Sequence, residues 1–155
     1  MTLLQGLTGR WRRSGERRCV ERRGLGLTNR VETILVVDDT SEIRMLLVAT
    51  LQQAGYIVSE AADGSQVLRL VEESMPSAII LDLMMPGVNG WDTLAELKSR
   101  DDTRHIPVII SSALRGDEDL AKARKMGAHD YVTKPWSAAT LLERLRWALS
   151  TSEAA

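Results

Sequence analysis

The chain carries short apolar runs that alternate with stretches of helical period. Ile34-Leu35-Val36-Val37 is apolar throughout, rich in β-branched residues, and stops at two carboxylates, which predicts a strand buried on both faces. Ser41 is expected to cap a helix, with Glu42 in the first turn; apolar residues at Ile43, Leu46, Leu47, Leu51 and Ala54 then keep helical spacing up to Gly55. Tyr56 to Glu60 predicts a second strand, and Ser65 to Glu73 a helix with Val67, Leu68 and Val71 on one face. Ala78 to Leu81 is a third buried run, followed by Asp82, a Met-Pro-Gly loop and a helix from about Gly90 to Ser99. Pro107 opens a fourth strand, Val108 to Ser111, and Asp117 to Met126 gives a helix closed by Gly127. Asp130 to Thr133 is the fifth strand, and Ala138 to Leu149 a last helix that turns Leu141, Leu142, Leu145 and Leu149 inward.

Strands alternating with helices in this way imply an α/β domain: a parallel sheet with right-handed crossovers and helices on both faces. Ligands of such sheets bind outside the carboxyl ends of the strands, where the strand order reverses. Four of the five expected strands end on a residue that can handle a phosphoryl group. Asp38 and Asp39 follow the first, Asp82 the third, Ser112 the fourth and Lys134 the fifth. Three clustered carboxylates repel one another, and a hard, oxygen-seeking divalent cation such as Mg²⁺ relieves the repulsion. A carboxylate can also attack phosphorus, and a lysine with a hydroxyl would complete a cradle for the equatorial oxygens.

Composition bounds the remaining possibilities. A length of 155 residues, 44% of them hydrophobic, suits one domain with one core. Charges nearly cancel, 20 Lys and Arg against 21 Asp and Glu, but residues 1 to 30 hold eight arginines and two glutamates, leaving about −7 for the remainder. That first stretch has neither strand nor helix period, so residues 1–30 are expected to be a disordered basic extension, residues 31–151 the domain and 152–155 a tail. Patterned sequence begins abruptly at Val31, which equally fits a start assigned too early. An arginine-rich run without aromatics, in an otherwise acidic protein, is a weak argument for nucleic acid. Cys19 is the single cysteine and excludes an internal disulfide. No apolar run nears the ~20 residues that cross a bilayer, so the expectation is a cytoplasmic protein that does not insert.

The segments Val36-Val37-Asp38-Asp39, Leu81-Asp82-Leu83-Met84-Met85-Pro86-Gly87, Ile110-Ser111-Ser112-Ala113 and Tyr131-Val132-Thr133-Lys134-Pro135 resemble the receiver domain of two-component response regulators, over about Glu32 to Thr151. The resemblance implies a flavodoxin-like (βα)5 three-layer sandwich with strand order 2-1-3-4-5. It implies phosphorylation of Asp82 by a histidine kinase or phosphotransfer protein, with Mg²⁺ on Asp38, Asp39, Asp82 and the Met84 carbonyl. It further implies self-catalysis by Asp82, Ser112 and Lys134, a Ser112 and Tyr131 switch pair, a cis Lys134-Pro135 bond, and output to a protein on the face of the fourth helix, fifth strand and fifth helix. With no sequence left for an output domain, the expectation is a stand-alone module and not a classical enzyme. Trp136 stands where the family often has Phe, and Met84 and Leu114 where it often has polar residues, which implies slow autodephosphorylation.

Other readings are weaker. A dehalogenase-type phosphatase needs a second Asp two residues after the nucleophile, and Met84 stands there. A binding-only module would not need the acid, hydroxyl and lysine set together. His105 has no Cys or second His around it and reads as a loop residue, and Trp147 as core or partner surface.

Overall fold

The computed structural model describes residues 30–152. The expected basic extension and tail, apart from Arg30 and Ser152, lie outside the described residues. The elements follow in strict alternation: β1 Thr33–Val37, α1 Ser41–Gln53, β2 Ile57–Ala61, a 3-10 turn Gly64–Gln66 leading into α2 Val67–Ser74, β3 Ala78–Leu81, α3 Gly90–Ser99, β4 Val108–Ser112, α4 Asp117–Lys125, β5 Asp130–Thr133 and α5 Ala138–Ser152. All strands are parallel, in the order β2-β1-β3-β4-β5. The chain moves outward from β1 to β2 and then crosses to the other side for β3, so the order reverses between β1 and β3.

Both faces of the sheet are covered, which explains why the central strands read as unbroken apolar runs. Alternation sends Leu35, Val37, Ile79, Leu81, Val108 and Ile110 to one face, where they pack with Val67, Val71, Leu94 and Leu97 of α2 and α3. The other face collects Ile34, Val36, Ile80 and Ile109 with Leu47 and Leu51 of α1 and Leu141 and Leu145 of α5. Each fully buried aliphatic side chain contributes about 1.5–3 kcal/mol relative to exposure. These two layers hold the strand ends in fixed register.

Helix ends depart from the sequence reading for local reasons. Ser41 is the first residue of α1 and not its cap; the capping position is Thr40, whose amide donates to Asp38 Oδ1 at 2.9 Å. Ser65 falls in the 3-10 turn because the Asp63 carboxylate accepts its amide at 2.8 Å and starts the winding one turn before α2. Gly55 and Gly127 close α1 and α4 at φ of 96° and 99°, conformations that glycine adopts without strain. Leu46, expected inward, is 53% exposed beside Met45 at 71%. His105 lies in the exposed loop before β4, and Trp147 is 52% exposed on α5, its ring centroid 4.9 Å from that of His129.

Candidate functional site at the carboxyl ends of the strands

The site is built by register. Val37 of β1 is paired with Leu81 of β3, so the next residues, Asp38 and Asp82, emerge abreast at the reversal of strand order. The Asp82 amide donates to the Val37 carbonyl at 2.9 Å and carries the pairing one residue past the strand. Asp38 and Asp82 are buried, at 1% and 4% exposure, while Asp39 opens to solvent. Each of the three offers a carboxylate oxygen, and these oxygens lie within 4.8 Å of one another.

Lys134, delivered by the end of β5, compensates this charge. Its Nζ lies 2.6 Å from Asp38 Oδ2 and 3.3 Å from Asp82 Oδ2. The Lys134-Pro135 bond is cis, in agreement with the expectation. Burial pushes the Asp82 carboxyl above its ordinary value, while the Met84 amide, donating to Oδ1 at 3.1 Å, and the Lys134 ammonium pull it back. Three carboxylates and one ammonium still leave two negative charges in a small mouth. Oxygen donors this close, with one edge open to water, match the preference of Mg²⁺ for one or two carboxylates with retained waters.

Ser112 ends β4 and is fully buried; its Oγ accepts the Leu114 amide at 3.3 Å. Tyr131 is partly buried, pairs with Ile110 across β4 and β5, and donates its hydroxyl to the Leu114 carbonyl at 2.9 Å. The Leu114 backbone is thus held at its N–H by Ser112 and at its C=O by Tyr131, the two residues read as a switch pair. The Met84 side chain is 58% exposed, and Leu114 packs partly against the core. All the site residues expected from the sequence therefore lie at this end of the sheet, with Asp38, Asp39, Asp82 and Lys134 in one cluster.

Several supporting residues were not legible in the sequence. Arg44 of α1 donates to the Asp38 carbonyl at 2.8 Å and faces Glu60 at 3.6 Å. Arg115 donates to the Lys134 carbonyl at 2.7 Å, and the Trp136 indole to Ser111 Oγ at 3.0 Å. Gly90 opens α3 directly under the acceptor strand: a Cβ there would stand 2.1 Å from the Asp82 carbonyl oxygen and 2.5 Å from Leu83 Cα. Only its place after the Met-Pro-Gly loop could have singled it out.

The receiver domain model of response regulators matches residues 34–146. Response regulator PleD of Caulobacter vibrioides is 42% identical over 113 residues, 73% of this chain and 25% of PleD. The phosphate regulon transcriptional regulatory protein PhoB of Pseudomonas aeruginosa is 36% identical over 115 residues, 74% of this chain and 50% of PhoB. The chain thus spans half or less of the length of these curated relatives. Among solved structures, the chemotaxis protein CheY4 of Vibrio cholerae superposes with a TM-score of 0.73 at 28% identity, covering 77% of this chain and 99% of CheY4. Among the described residues no helix is long and apolar enough to cross a membrane.

Proposed function

Since the chain belongs to the response regulator receiver domain family, we propose that it serves two-component signalling as a phosphoacceptor, with Asp82 taking a phosphoryl group from a histidine kinase or phosphotransfer protein. The observation that carries the reading is the pairing of a buried, register-fixed carboxylate pair with one lysine, Nζ to Oδ2 at 2.6 Å on Asp38 and 3.3 Å on Asp82. Asp38, Asp39 and Asp82, with the Met84 carbonyl, are the groups that would hold Mg²⁺. A bound Mg²⁺ supplies charge neutralisation where the incoming phosphoryl oxygens meet the carboxylates.

The chain's own residues do the remaining work. An Asp82 carboxylate oxygen attacks phosphorus as the bond to the donor's imidazole nitrogen breaks, and that nitrogen keeps the electron pair. Lys134 is poised to exchange one carboxylate partner for a phosphoryl oxygen, which keeps its ammonium paired throughout. The Ser112 hydroxyl turns from the Leu114 amide to the phosphoryl group, and Tyr131, already tied to Leu114, follows it. The surface of α4, β5 and α5 changes with them and is the proposed contact for a downstream protein. Neither Met84 nor Leu114 offers a side-chain group that could orient water strongly, so hydrolysis of the acyl phosphate is slow. A cytoplasmic location follows from this role.

Intact mass after incubation with acetyl phosphate and Mg²⁺ tests the reading. The wild type gains about one phosphoryl mass and Asp82→Asn gains none. Absence of any gain in the wild type, where a known receiver is labelled, would leave a binding-only module.

A further inference from the structure

We propose that Trp136 is a positioning residue for the phosphoryl-transfer site, holding the Lys134-Pro135 turn against the end of β4 through the bond from its indole N–H to Ser111. The inference rests on the phosphoacceptor reading. Ser111 and Ser112 are consecutive in a strand, so their side chains leave opposite faces of the sheet. Ser112 bonds to the Leu114 amide. Ser111 points to the other layer, is 1% exposed, and accepts the Trp136 indole at 3.0 Å. Trp136 packs there against the cluster shared by α1 and α5.

The turn is tied twice to this strand end. The Lys134 amide donates to the Ser112 carbonyl at 2.8 Å, and two residues later the indole reaches back to Ser111. Between the two anchors lies a short piece of backbone that fixes where the Lys134 side chain starts. That start matters because the amine must meet two carboxylates just past the ends of two other strands, at 2.6 Å and 3.3 Å. A long, flexible side chain holds such a position only if its backbone does not drift, and small misplacements are costly in transfer chemistry. Among the described residues the indole is also the partner that satisfies Ser111 Oγ, a buried hydroxyl that would otherwise be orphaned. A phenylalanine could fill the same apolar space but could not donate. The specific element is therefore the N–H and not the ring.

The test compares the initial rate of Mg²⁺-dependent phosphorylation by acetyl phosphate, read by intact mass on the full chain, for wild type, Trp136→Phe, Ser111→Ala and the double variant, with thermal melts of each. Trp136→Phe is expected to lower the rate about three- to ten-fold, the weight of one neutral hydrogen bond, and Ser111→Ala to lower it similarly. The double variant replaces both partners by apolar groups and should regain melting temperature while its rate stays low. A purely structural role would restore rate and stability together, and that result overturns the proposal. So does a wild-type rate in Trp136→Phe. If the wild type takes no phosphoryl group at all, the phosphoacceptor reading fails first and this inference with it.

Discussion

Lys134→Ala isolates the electrostatics of the site. The substitution removes the ammonium that bridges Asp38 and Asp82, two carboxylates at 1% and 4% exposure, and raises the local imbalance from two negative charges to three. Removing one partner from a buried pair costs about 3–5 kcal/mol. Here the lower end applies. The lysine side chain is 17% exposed, Asp39 opens the site to solvent, and Asp82, already pushed up by burial, can relieve the variant by taking a proton. About 3 kcal/mol in a domain of this size lowers the melting temperature by roughly 10 °C. Mg²⁺ should close most of that gap, because a divalent ion on the same carboxylates replaces the lost charge. At tenfold over the wild-type dissociation constant the ion adds about 1.4 kcal/mol to the wild type, and more to the variant, where tighter binding makes the same concentration a larger multiple of a smaller constant.

The pH dependence carries its own sign. Folding raises the Asp82 carboxyl above its ordinary value of 3.8, so this group adds stability below that value and loses it as pH rises through the raised one. In Lys134→Ala the raising is larger, and the loss extends to higher pH. Melts followed by circular dichroism, in chelator and in millimolar Mg²⁺ and at acid and neutral pH, read all three effects. A variant that melts with the wild type in chelator, or a gap that Mg²⁺ leaves unchanged, would refute the reasoning.

Asp82→Asn removes a buried charge while Lys134 keeps its shorter contact with Asp38, so in chelator the variant should melt a few degrees above the wild type and gain less from Mg²⁺. Met84→Asn or Leu114→Glu places a water-orienting group at the site mouth and should shorten the acyl phosphate half-life several-fold, measured as mass loss after donor removal. Gly90→Ala drives a methyl group into the Asp82 carbonyl oxygen at 2.1 Å. It should cost about 3 kcal/mol in urea unfolding and lower phosphoryl uptake, because the strain falls on the acceptor residue itself.

The strands were the most legible part of the chain. Runs such as Ile34 to Val37 and Ala78 to Leu81 are apolar on both faces because both faces are buried, and burial on that scale leaves few other assignments. Helix faces were less legible. Leu46 and Leu47 both fit the spacing of α1, yet they point about 100° apart, and the sheet can take only one of them. Leu47 is fully buried and Leu46 half exposed, a choice made by the packing surface and invisible in the period.

The site divides along the same line. Carboxylates, hydroxyl and lysine are nominated by their places after apolar runs, which is local information. Their pairing is not local: Lys134 meets Asp38 across 96 residues of chain, and Trp136 meets Ser111 across 25. A one-residue slip of β1 against β3 would bring Asp39 abreast of Asp82 and turn Asp38 to the opposite face. What excludes the slip is the interlock of Ile34 and Val36 with one helical layer and Leu35 and Val37 with the other, since moving the strand by one residue would put every side chain on the wrong side. The apolar pattern that identifies the strand is therefore also what decides which aspartate the lysine meets.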